Sequence, residues 1–103
     1  MTRPEDCQTM TELRSVIDGI DADLVRLLAR RQGCIDRAVV LKQGAGLPAR
    51  IPDRVDEVLA RVQATARREG CDEALATAVW RQLIEWSIAR EETAMAVDSS
   101  GGS

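Results

Sequence analysis

The sequence predicts an all-α fold: three helices per chain, the first of them long, in an intertwined helical homodimer. Three observations lead there. Ala, Leu, Arg, Glu and Val dominate the 103 residues, a composition that favours helix over sheet. Apolar side chains recur at helical spacing from Leu13 to Val39 without a breaker strong enough to stop the helix. A helix of roughly 34 residues spans about 50 Å, whereas a compact domain of this size has a radius of gyration of only about 13 Å. Two shorter helices cannot cover such a rod, so a second chain is expected to. A plain coiled-coil homodimer without a pocket is the other form of the same inference.

The elements follow in order. Residues 1–8 form a polar lead-in. Thr9 and Glu12 have the spacing of a capping box and start the first helix. Leu13, Val16, Ile17, Ile20, Leu24, Leu27, Leu28, Ile35, Ala38 and Val39 carry it to about Gln43, across Gly19 and Gly33. The stretch 44–50, GAGLPAR, breaks the helix and is expected to be a mobile loop. Its glycines do not make a phosphate cradle, since no strand precedes them and no Lys-Ser/Thr follows. Pro52 suits the first turn of a second helix with Val55, Val58, Leu59, Val62 and Ala66 on its apolar face. Gly70 is placed to end it. Asp72 caps a third, with Ala76, Val79, Trp80, Leu83, Ile84, Ser87 and Ile88 along it. The helical domain is expected over 9–95, and residues 96–103 are expected to be a disordered tail.

Composition narrows the function classes. A net charge of −3, with no basic patch interleaved with aromatics, argues against nucleic acid as partner. The three cysteines, Cys7, Cys34 and Cys71, have neither disulfide nor zinc spacing, and Cys34 reads as a small apolar filler beside the core stripe. No apolar run is long enough to cross a membrane and no leader is evident, so a cytosolic location is expected. Histidine is absent, and no serine or cysteine has a credible base beside it. Hydrolysis by proton relay and metal chemistry are therefore not expected, and no cofactor is called for.

What remains is a set of cations. Arg31 and Lys42 lie on the apolar stripe of the first helix, 11 residues and so about 20° apart in direction. Interior cations need partners, and an anionic ligand is the simplest partner for several of them. Arg14 is too far along the helix to reach the same small molecule from one chain, but in an antiparallel dimer it approaches Arg31 and Lys42 of the other. Arg54 opens the second helix just past the loop. Ser87 and Glu91, four residues apart, put a hydroxyl and a carboxyl on the inward face of the third. Plainer readings exist for most of these. Arg14 can pair with Asp18, Lys42 can favour the helix dipole, Arg54 can be solvated beside Asp53 and Glu57, and Glu91 can belong to a polar helix end. Arg31, flanked by apolar residues, is hardest to dismiss. The residues themselves lead to an anionic ligand, in chemistry that needs orientation and charge stabilisation rather than a nucleophile.

PEDC at 4–7, LRSVIDGIDADLVRLLARR at 13–31, Lys42, IPDRV at 51–55 and IEWSIARE at 84–91 together resemble the all-helical chorismate mutase family, close to its isochorismate-pyruvate lyase branch. The resemblance covers about residues 4–92. It implies an intertwined dimer with two equivalent sites and a dicarboxylate substrate, chorismate or isochorismate. By the same resemblance Arg14, lent by the partner subunit, and Arg31 clamp the substrate carboxylates. Lys42 donates to the ether oxygen as its negative charge grows. Arg54 contacts a carboxylate or orders the loop, and Ser87 lines the site. Glu91 takes the place of a glutamine that donates to the same oxygen. A carboxyl donates only when it carries a proton, so turnover is expected to fall with rising pH. Ile51 and Val55 stand where mutases have acidic residues, a lyase-like trait. The resemblance implies a chorismate mutase first, an isochorismate-pyruvate lyase second, and a non-catalytic helical dimer as the reading outside enzymology.

Overall fold

The computed structural model describes residues 3–101, with side chains through residue 97. The described residues form a 3-10 turn, Pro4–Asp6, and three helices: α1 (Met10–Ala45), α2 (Pro52–Glu69) and α3 (Glu73–Gly101). They contain no strand, and none of these helices is long and apolar enough to cross a membrane. The chain divides into two compact units, Met1–Cys34 and Ile35–Ser103, with the boundary inside α1.

The first unit is the lead-in and the N-terminal part of α1. Thr9 caps the helix, its Oγ1 accepting from the Glu12 amide at 3.1 Å. Glu12 returns the favour one residue earlier than a capping box prescribes, accepting from the Gln8 amide at 3.0 Å. The stripe Ile17, Ile20, Leu24, Leu27 and Leu28 is exposed, each residue by 45–55%. One chain thus leaves bare what the sequence marked as interior. Cys34, expected to fill space beside that stripe, is also exposed.

The second unit combines the last turns of α1 with α2 and α3. Ala49, Ile84 and Ile88 form its buried centre, with Val55, Val58, Leu59, Trp80 and Met95 packed around them. Pro52 opens α2, and Gly70 closes it at φ 71°. There the Cys71 amide reaches back to the Ala66 carbonyl at 2.8 Å, a left-handed close that a side chain at position 70 would strain. Asp72 caps α3 through the Leu75 amide at 2.9 Å. The helix then runs to Gly101, so the tail expected from residue 96 is helical through that glycine. Thr93 to Val97 include no glycine or proline to stop it, and Met95 is held against the core. Residues 102 and 103 lie outside the described residues.

Candidate active site

The site grows out of the way α1 ends. Gly46 takes a left-handed φ of 69°, and the Leu47 amide bonds the Lys42 carbonyl at 2.8 Å. This close folds the chain sharply at the end of the helix and sends the following residues back past Lys42. Ala49 drops into the core with 6% exposure. The Lys42 ammonium donates to the Ala49 carbonyl at 2.7 Å. It donates also to Glu91 Oε1 of α3, again at 2.7 Å.

This ion pair is the most buried in the described residues, with side-chain exposure of 20% for Lys42 and 4% for Glu91. Burying two charges is tolerable only when each is well bonded, which the double contact of Lys42 achieves. An ammonium has three N–H donors. Ala49 and Glu91 accept from two of them. Ser87, one turn before Glu91 on the same face, is buried at 3% and donates to the Leu83 carbonyl at 2.8 Å. Ile51 and Val55 are half-buried at the end of the loop and the start of α2.

The other expected site residues are placed differently. Arg54 is exposed and pairs with Glu57 on its own helix, the solvated arrangement weighed above. Arg31 is half-buried and Arg14 exposed, both in the first unit. Within the second unit the structure brings together Lys42 and Glu91, with Ser87 a turn away.

Three features escaped sequence reasoning. The Ala49 carbonyl is a backbone acceptor and carries no residue-type signal. Arg50 makes a two-pronged bond to Glu85 of α3, at 2.9 and 2.6 Å. This bond holds the Glu85 carboxyl below the usual carboxylate range and raises the Arg50 guanidinium further. Arg90 of α3 grips Asp36 of α1 at 2.6 and 3.1 Å, lowering the Asp36 carboxyl, and lies 5.4 Å over the Trp86 ring. The loop expected to be mobile is thus tied by Lys42 from one side and by Arg50 from the other.

Fold and site together define a small all-helical protein with a half-buried cation braced by a buried carboxylate. Residues 13–92 match the family described as chorismate mutase type II, and the chain belongs to that family. It is 35% identical over 92 residues to the isochorismate pyruvate lyase of Pseudomonas aeruginosa, covering 88% of this chain and 89% of that protein. It is 25% identical over 85 residues to the chorismate mutase of Methanocaldococcus jannaschii, covering 82% and 86%. A 30% identity over 84 residues links it to the T-protein of Haemophilus influenzae, where the match covers 82% of this chain but 22% of that protein.

Proposed function

We propose that the chain is a chorismate mutase, an isomerase that rearranges chorismate to prephenate without a cofactor. The observation that carries this reading is the Lys42 ammonium, braced by Glu91 and the Ala49 carbonyl; the reading assigns its third N–H to the substrate. In a pericyclic rearrangement the ether C–O bond breaks while a C–C bond forms, and no group on the protein need become covalently attached. The enzyme's task is to hold the compact conformer and to stabilise charge that builds on the ether oxygen. Lys42 supplies that charge stabilisation, because its interaction is stronger with the transition state than with the ground state. Ser87 lines the pocket. Arg31, with Arg14 of a second copy, clamps the two carboxylates, and Arg54 swings from Glu57 to the substrate or the loop. The active unit in this reading is a cytosolic homodimer, with neither nucleic acid nor membrane as partner.

Glu91 braces Lys42 through Oε1. In this reading its role is to hold the ammonium in place as the carboxylate of the pair, and the kcat of Glu91→Gln, which keeps an acceptor but removes the charge, tests that role.

A second reading, isochorismate-pyruvate lyase, is favoured by the half-buried Ile51 and Val55, which offer no hydrogen bond to a ring hydroxyl, and by the likeness to the Pseudomonas aeruginosa protein. The purified protein given chorismate and isochorismate separately decides between them. Prephenate as the main product supports the mutase. Salicylate and pyruvate at the higher kcat/KM reassign the chain as the lyase, and neither product leaves an anion-binding helical protein.

A further inference from the structure

We infer that Arg50 and Glu85 form a positioning clamp that aims the Lys42 ammonium by fixing the Ala49 carbonyl. The inference rests on the proposed role of Lys42 in turnover and adds two residues that touch no substrate. Its starting point is covalent. The Ala49 carbonyl and the Arg50 amide belong to one planar peptide unit, so whatever holds Arg50 limits how that carbonyl can turn. Arg50 is held by a two-pronged bond to Glu85 at 2.9 and 2.6 Å, a geometry that fixes direction as well as distance. Glu85 sits on α3 next to Ile84, which shares the buried cluster with Ala49. The Arg50 and Ala49 side chains are therefore both held at the same turn of the same helix.

The consequence reaches Lys42 through its hydrogen bonds. The ammonium is tetrahedral, and two of its N–H vectors are spent on the Ala49 carbonyl and Glu91, each at 2.7 Å. With those two directions set, the third is set as well. Glu91 alone leaves the group free to rotate about one contact. The Ala49 carbonyl removes that freedom, and the clamp keeps it from drifting. Both clamp residues are roughly half exposed, 46% and 58% by side chain. An ion pair of that exposure contributes little to stability, so its value lies in orientation.

The test compares wild-type protein with Arg50→Ala, Glu85→Gln and the charge-exchanged double variant Arg50→Glu/Glu85→Arg. Steady-state kinetics are followed on chorismate and on isochorismate. Misplacing a transition-state donor lowers kcat more than it raises KM. Each single variant is expected to lose about tenfold in kcat with KM changed less than about twofold, while Tm moves by no more than about 2 °C. The double variant is expected to recover most of the loss.

Lys42 is the only lysine in the chain, so the hydrogen exchange rate of its ammonium is readable by 15N NMR without ambiguity. Exchange is expected to quicken in the single variants and to slow again in the double one. Wild-type kcat with unchanged ammonium exchange in both single variants overturns the clamp, as does a loss that only tracks Tm. A wild-type protein that turns over neither substrate overturns the reading of Lys42 as the donor, and the exchange rates then decide the clamp by themselves.

Discussion

Lys42 and Glu91 form a largely buried ion pair in the second unit. Replacing Lys42 by Ala leaves a carboxylate at 4% side-chain exposure without its cation, and removing one partner of a buried pair destabilises by about 3 kcal/mol. Chemical denaturation is expected to show a loss of that order, and kcat is expected to fall by about 100-fold or more. Glu91→Gln keeps an acceptor for the ammonium and is expected to destabilise less, a difference the same denaturation experiment reads. At this level the sequence was legible in part. Lys42 announced itself as a cation on an apolar stripe, and Ser87 and Glu91 as polar groups on an inward face. Arg50, Glu85, Asp36 and Arg90 gave no such sign, because a pair 35 or 54 residues apart has no local periodicity to mark it.

The helices are joined by devices that respond differently to conditions. Asp72 at the start of α3 is an ordinary cap, and Asp72→Ala is expected to cost about 1 kcal/mol, measurable as a lowered denaturation midpoint. The Asp36–Arg90 and Glu85–Arg50 pairs tie α3 to α1 and to the loop, and both carboxyls titrate below their ordinary range because a guanidinium bonds them. Their contribution is present above about pH 4, where an unfolded carboxyl is charged, and is lost as pH falls through the lower folded values. Tm is therefore expected to drop on acidification from pH 5 to 3, and the drop is expected to shrink in Asp36→Asn/Glu85→Gln. The helix ends were mostly legible, since Thr9, Pro52, Gly70 and Asp72 each act through their own chemistry. The end of α3 was not. Ser-Ser-Gly-Gly-Ser suggested disorder from residue 96, but Met95 anchors the preceding turn and no breaker precedes Gly101.

The whole molecule is unusual in where its apolar surface lies. Ile17, Ile20, Leu24, Leu27 and Leu28 are exposed along one stretch of α1, a run of neighbouring apolar residues rather than scattered surface leucines. The length of α1 and this bare stripe are the two features on which the proposal of a second chain rests. Sedimentation of the wild-type protein is expected to show a dimer. Leu24→Glu/Leu28→Glu is expected to give a monomer with no turnover and with α1 partly unfolded by circular dichroism; an active monomer would refute the dimeric site. The proposed convergence of Arg14 with Arg31 and Lys42 rests on helix spacing and on the family resemblance, and it involves a second copy that periodicity within one chain cannot locate.

The same composition that removes histidine chemistry also leaves the protein optically sparse. With no tyrosine or phenylalanine, its near-ultraviolet emission comes from two indoles alone. Trp86 is 47% exposed beneath Arg90, whereas Trp80 packs against the cluster that contains Ala49. Quenchers in solution reach the first far more readily than the second. The wavelength and lifetime of Trp80 therefore follow the packing of the segment that aims the ammonium, and the loop's seating on α3 can be watched in real time without attaching a dye.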